Sequence, residues 1–311
     1  MRQSDKAVSQ TPGRRFFVTT LATVLIVLGV ALVAILATGP ALKYQELLEY
    51  QQSKLDQPLP KTIFVGDSSL GNAIDVDVWR ELTGELALNL ALTGKYGYAG
   101  SLGMMREAVQ AGGVESIVIF QTASMMKRAV NERAEDAVRR FRWDVASIKR
   151  WWLNNMNLAT VPLTFRNSLR SIRESLGLRE AEQPTVIQND YVAQGPPVSD
   201  FSRYKPLSLE YFDPKKIGYL KKISRFCVDH GVSCVYVHGP LEESMCLASD
   251  GFFDQVNMLI SEAGLSVVES SPVCIPVSQL GDGEDHVLPE FKAKFTRKYA
   301  EILAPDLYPR K

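Results

Sequence analysis

Hydrophobic and polar positions divide the chain into three regimes. From Phe16 to Thr38 the stretch FFVTTLATVLIVLGVALVAILAT is mostly apolar and holds no charge. Residues 39–59 are mostly polar and helix-prone, and Pro58 and Pro60 close that stretch. From Thr62 onward, short apolar runs alternate with amphipathic ones. The runs predict strands at Thr62–Val65, Ala87–Leu92, Ser116–Phe120, Ser233–Val237 and Leu265–Val268. Helices are predicted around Ile74–Leu82, near Ser101–Ala111, over Pro214–Asp229, near Phe252–Ala263, and from about Pro289. In the Pro214 helix, Ile217, Leu220, Ile223 and Phe226 fall on one face, with Asp213 as cap and Pro214 at the first position. Short strands alternating with helices predict the α/β class: a three-layer domain built on a parallel five-stranded sheet. One insertion, from about Met125 to Leu207, is too long to be a simple connection.

As a helix, residues 16–38 would extend about 35 Å at ~1.5 Å per residue, enough to cross a bilayer. Arg2, Lys6, Arg14 and Arg15 precede the stretch against a single Asp5. That asymmetry predicts a cytoplasmic N-terminus, with everything after Gly39 outside the membrane. A cleaved signal peptide is the rival reading, but its apolar core would be about 7–15 residues with a small-x-small cleavage site. This stretch is longer, and no clean site follows it. The expected organisation is a cytoplasmic tail (1–15), a transmembrane anchor (16–38), a stalk (39–60) and one domain (61–305) that carries the insertion at 125–207.

Composition adds two constraints. Lys plus Arg and Asp plus Glu both number 35, so the formal net charge is zero and a nucleic-acid partner is not expected. The four cysteines, Cys227, Cys234, Cys246 and Cys274, form no Cys-x-x-Cys pair, so no metal site is expected. An even number in an exported domain permits disulfides. Cys246 and Cys274 each follow a strand at one edge of the predicted sheet, while Cys227 and Cys234 bracket one helix–strand turn. Those are the two pairings expected if disulfides form.

Candidate chemistry starts at Lys61–Asp75, KTIFVGDSSLGNAID. The first strand stops at Gly66-Asp67-Ser68-Ser69, and ligands in such sheets bind at the carboxyl ends of the strands. This turn resembles block I of the SGNH, or GDSL, hydrolases, in which the serine after Gly-Asp is the nucleophile; the matching residue is Ser68. Block II of that family, Asn-x-x-x-x-Gly, is similar to Asn89–Gly94, which implies an oxyanion role for the Gly94 amide beside that of Ser68. Block III normally supplies an asparagine after the third strand. Here that place reads FQTASMM, so either Gln121, Thr122 or Ser124 is the substitute donor or the Ser68 and Gly94 amides act alone. Block V, Asp-x-x-His, is similar to Gly281–His286, which implies His286 as the base. Three residues before it stands Gly283, not aspartate. Asp282 is preferred as the orienting carboxylate because a four-residue loop separation lets a side chain fold back; Asp285 follows, then Glu284. Asn72 and His238 are candidate substrate contacts at the same edge. No cofactor is expected.

The resemblance implies a flavodoxin-like SGNH fold and, with a single N-terminal anchor, similarity to bacterial proteins of alginate O-acetylation and teichoic acid D-alanylation. It further implies acyl transfer to, or removal from, a polysaccharide outside the cytoplasmic membrane, beside a multi-pass membrane acyltransferase partner. A non-catalytic subunit that binds glycan or organises a membrane complex is the reading from a different class. Within the insertion, Lys and Arg outnumber Asp and Glu two to one between Lys127 and Glu180. Trp143, Trp151, Trp152 and Phe165 are interleaved with the arginines. That pattern suits a helical cap that stacks on sugars, with Trp143 and Trp151 as substrate contacts, or a surface for lipid headgroups. An amphipathic helix pair burying its aromatics on the domain fits the same pattern. Gln188–Ser202, rich in Pro, Gly and polar residues, reads as a mobile loop.

Overall fold

The computed structural model describes residues 16–23, 29, 45–140, 186–188, 190–200, 204–210 and 212–308. The chain divides into two units: residues 1–43 with 151–183, and residues 44–150 with 184–311. In the first unit, residues 16–23 are helical, with Phe16, Phe17 and Leu21 exposed. Among the described residues no helix is long and apolar enough to cross a membrane. Most of the stretch read as an anchor lies outside the described residues, as do Trp143, Trp151, Trp152 and Phe165.

The second unit is an α/β domain. Its strands in chain order are β1 (Thr62–Gly66), β2 (Ala87–Ala91), β3 (Ser116–Gln121), β4 (Ile187–Gln188), β5 (Tyr191–Val192), β6 (Ser233–His238), β7 (Leu241–Glu242), β8 (Ser266–Val267) and β9 (Cys274–Ile275). Its helices are α1 (Gln45–Ser53), α2 (Ser68–Ala73), α3 (Val76–Thr83), α4 (Gly97–Ala111), α5 (Ala134–Val138), α6 (Lys215–His230), α7 (Glu243–Leu247), α8 (Asp250–Glu262) and α9 (Lys292–Leu307). Five strands form one parallel sheet in the order β2-β1-β3-β6-β8. The five strands expected from the apolar runs are these five.

The sheet is buried on both faces, which is why its strands read as unbroken apolar runs. On one face, Phe64, Val118, Phe120, Val235 and Val237 belong to a core with Leu70, Trp79, Phe295, Tyr299 and Leu303 of the covering helices. Phe64 meets Trp79 edge-on at 4.9 Å, and Phe120 meets Tyr299 at 4.7 Å between ring centroids. Alternate residues Ile63, Val65, Ile117 and Ile119 are equally buried. Helix α6 ends at Gly231, whose φ of 63° lies in the left-handed region that glycine enters freely. The Asp213 carboxylate accepts from the Lys215 N–H at 3.0 Å, so the expected cap acts from two residues before the helix, across Pro214.

Two features depart from the linear reading. The segment read as a stalk is packed into the domain: Leu47, Leu48 and Leu55 are buried, and Leu47 joins the main core. Its polar appearance came from a helix that is apolar only along one narrow stripe. The loop after Gln188 carries an antiparallel β4–β5 pair and is tied down by side chains, as described below. The insertion is described at its two ends only, by a 3₁₀ turn at Ala123–Lys127, α5, and β4–β5.

Both cysteine pairs are bridged, Cys227 to Cys234 and Cys246 to Cys274. The second bridge staples α7 to β9, and β7 pairs in parallel with β9 through Leu241 and Cys274.

Candidate functional site

The register of the sheet aligns the ends of its strands. Gly66 lies opposite both Ala91 and Phe120, and Gln121 lies opposite His238. The segments that follow these residues therefore emerge at one edge: Asp67-Ser68, Thr93-Gly94, Thr122 and Gly239. Gly66 is a requirement of that convergence. A Cβ there would lie 1.8 Å from the Phe120 carbonyl oxygen, a backbone atom that cannot step aside.

Asp67 caps α2 and is almost wholly buried. One carboxylate oxygen accepts from the Ser69 N–H at 3.0 Å and from the Ser69 hydroxyl at 2.5 Å. The other accepts from the Thr122 N–H at 3.0 Å. Burial pushes this acid up to about 6, with help from the Asp285 charge, against these hydrogen bonds and the Arg128 guanidinium. Ser68 is thereby fixed as the first residue of α2, half-buried, where its N–H has no acceptor within the helix. Its Oγ makes no hydrogen bond among the described residues.

His286 is held in a tight loop whose base is the Leu280–Val287 bridge. Its Nδ1 lies 2.6 Å from Asp282 Oδ1, and its Nε2 lies 3.4 Å from Asp285 Oδ1. Gly283 explains why the carboxylate comes from four residues back. A Cβ at 283 would sit 3.0 Å from Nδ1 and 3.2 Å from Cε1, directly on the imidazole. Burial is the largest single influence on His286 and favours its neutral form. Asp285, Asp282 and Asp67 together outweigh that influence and raise the imidazole above its usual range. Asp282 is held down: the His286 and Gly195 hydrogen bonds overcome its partial burial.

Four candidate contacts fall elsewhere than the linear reading placed them. Gln121 Nε2 donates to Ser101 Oγ at 2.7 Å, on α4, so this amide is committed to the opposite side of β3 and is not free as an oxyanion donor. The Thr122 N–H is likewise spent on Asp67. His238 is fully buried, with Nε2 2.7 Å from Asn257 Oδ1, and burial depresses it to about 4. It is a neutral histidine of the interior, packed on Tyr236 and Phe253, and does not line a cleft. Asn72 uses both ends of its amide internally: Nδ2 donates to the Ser68 carbonyl and Oδ1 accepts from Gln194 Nε2, both at 2.8 Å. The Gly94 amide makes no backbone hydrogen bond among the described residues, and Gly94 lies beneath Arg128, whose Nη1 would be 2.2 Å from a Cβ there.

Residues absent from the linear reading complete the site. The Gly195 N–H donates to Asp282 Oδ2 at 2.8 Å. Gln194 Nε2 donates to Asn72 Oδ1 and, at 2.5 Å, to the Val287 carbonyl. Arg128 stands over Gly94 and acts electrostatically on Asp67. All three lie in stretches without periodicity, so no local signal marks them. Among the described residues no group of three or more His, Cys, Asp or Glu side chains is placed to hold a metal ion.

The arrangement can polarise an imidazole from its Nδ1 side and presents a serine at the same sheet edge. Comparison with protein-family models and with curated protein sequences returns no match.

Proposed function

We propose that this chain is a serine-dependent acyl-transfer enzyme of the SGNH type, acting outside the cytoplasmic membrane as an O-acetyltransferase or acetylesterase on an exported polysaccharide. The observation that carries the reading is the 2.6 Å contact between His286 Nδ1 and Asp282, at the loop that acts electrostatically on Asp67, next to Ser68. A carboxylate on Nδ1 fixes the tautomer that leaves Nε2 free to take a proton, and stabilises the imidazolium that results.

In the proposed reaction, His286 Nε2 leaves Asp285 and takes the Ser68 Oγ proton as Oγ attacks the ester carbonyl. The Ser68 and Gly94 amides, with the Arg128 guanidinium above Gly94, receive the oxyanion. Collapse expels the alcohol, which takes the proton from His286 and leaves an acyl-serine. A sugar hydroxyl or water then attacks in the reverse sense. The two disulfides suit an oxidising compartment and so support the exported placement. The charge asymmetry around residues 16–38 supports an anchor with the N-terminus in the cytoplasm. A multi-pass membrane partner would supply the acyl group across the bilayer.

One observation favours the second reading, a non-catalytic glycan-binding or scaffold subunit. Among the described residues Ser68 Oγ makes no hydrogen bond, and His286 Nε2 faces Asp285 instead. A fluorophosphonate probe separates the two. Covalent labelling of Ser68, lost in Ser68→Ala and strongly slowed in His286→Ala, is the result expected of the enzyme. An unlabelled Ser68 in the folded chain assigns the scaffold role.

A further inference from the structure

The segment Asp190–Val198 crosses from the α1 helix to the His286 loop and is bonded at both ends. At its start, Asp190 Oδ1 accepts from the Tyr50 hydroxyl at 2.5 Å and pairs with Lys54 Nζ at 3.1 Å. The Gln51 amide reaches the Asp190 carbonyl at 3.4 Å. Lys54 also donates to the Asn89 carbonyl at 2.9 Å, which ties α1 and Asp190 to the second strand of the sheet. Asp190 has a φ of 70°, a left-handed conformation that costs a non-glycine residue free energy unless its side chain is held. Here Tyr50 and Lys54 hold it.

In the middle, the Tyr191 ring lies over Gly71, where a Cβ would be 2.2 Å from the ring, and its hydroxyl donates to the Leu92 carbonyl at 2.9 Å. At the far end, Gln194 bridges Asn72 on α2 to the carbonyl of Val287, immediately after His286. Its carboxamide oxygen also fills the space over Gly281, 1.9 Å from where a Cβ would stand. Gly195 N–H holds Asp282 Oδ2, and Val198 N–H holds the Gly281 carbonyl at 2.9 Å. Asp282 therefore has one oxygen on His286 and the other on this strap.

We propose that Asp190–Val198 is a positioning strap through which the docking of α1 sets the Asp282–His286 pair for proton transfer, with Asp190, Gln194 and Gly195 as its positioning residues. The inference rests on the acyl-transfer reading for its consequence in catalysis, but the coupling itself does not. Helix α1 follows the N-terminal apolar segment in sequence, so whatever seats or pulls on that helix reaches the base through the strap.

The charged groups that face His286 are Asp282 and Asp285 of its own loop and Asp67 from the β1–α2 turn. Those that face Asp190 are Lys54 and, at longer range, Lys292. Loosening the strap leaves Asp285 and Asp67 in place and takes from His286 only the ordered Asp282. The imidazolium then loses one of three supports, and its midpoint falls.

The test uses the full chain in detergent micelles, labelled with ¹³C at histidine, with the His286 midpoint read by NMR. Gln194→Ala and Asp190→Gly are compared with the wild type; glycine keeps the left-handed turn and deletes the ties to α1. Both should lower the midpoint by roughly 0.5–1 pH unit, as expected for partial loss of one close opposite charge. The acid limb of fluorophosphonate labelling at Ser68 should shift the same way, with the plateau rate down roughly tenfold. Tyr50→Phe serves if Asp190→Gly fails to fold, and must shift the midpoint the same way by a smaller step. An unchanged midpoint in folded Gln194→Ala overturns the strap; an unchanged midpoint in folded Asp190→Gly, or in Tyr50→Phe, overturns its coupling to α1. A shifted midpoint in a chain whose wild-type Ser68 never labels supports the strap and removes the acyl-transfer reading alone.

Discussion

Asp282 and Asp285 grip the same imidazole from opposite sides, Asp282 at Nδ1 (2.6 Å) and Asp285 at Nε2 (3.4 Å). The first contact keeps Nε2 as the nitrogen that accepts a proton, whereas the second occupies that nitrogen. Asp285 is buried, and among the described residues its second oxygen has no hydrogen-bond partner, so its pairing with Nε2 competes with proton uptake by that nitrogen.

Replacing the two carboxylates should therefore have unequal effects. Asp282→Asn loses the tautomer control and should slow Ser68 acylation by on the order of 10²–10⁴. Asp285→Asn should slow it far less, or speed it at acidic pH. Single-turnover labelling of Ser68 measures both; equal losses would remove the distinction.

The pH profile gives an independent check. His286 is raised above its ordinary range, and only its neutral form accepts the serine proton. The acid limb of Ser68 labelling should then lie above pH 6.5. Asp285→Asn removes the largest of the charges that raise it, so the limb should move to lower pH.

The pKa of Asp67 is shifted upward by burial, opposite to the shift of an aspartate paired with a cation. Its folded-state value is about 6 against 3.8 for the free side chain, so folding takes up a proton between these limits. The associated stability is present in full below pH 3.8 and is lost as pH rises through 6. Carbon-13 titration of the aspartate carboxyls should show one midpoint near 6 that is absent in Asp67→Asn.

Gly66→Ala should destabilise the domain by about 3 kcal/mol or more, since the added methyl meets the Phe120 carbonyl at 1.8 Å. Urea denaturation at constant slope measures it. A loss under about 1 kcal/mol would mean that β1 and β3 separate more easily than close packing allows.

The disulfides should contribute unequally. Bridging residues 28 apart, Cys246–Cys274 should stabilise by about 3–4 kcal/mol, and Cys227–Cys234, only 7 apart, by about 2 kcal/mol. Paired Cys→Ala variants under oxidising conditions give the two values. Non-reducing peptide mapping that finds four free thiols would end both expectations.

Local pattern alone determined the five sheet strands, the helices α6 and α8, and the α/β class, because a strand or helix face repeats within a few residues. It also placed Ser68, Gly94 and His286 beyond the ends of elements at one edge, since in a parallel sheet chain order dictates which ends share an edge. Tertiary structure decided what the side chains there do. Gln121 and His238 turn inward to Ser101 and Asn257, because the last residue of a strand can face either layer and only packing selects one. Asp282, and not position 283, orients His286 because the imidazole lies flat on Gly283. Helix α1 reads as a polar stalk until Leu47 joins a core whose other members lie far from it in sequence. Gln194 and Gly195 are invisible to pattern for the same reason: their partners, Asn72 and Asp282, are separated from them by 122 and 87 residues, and only the folded chain brings them together.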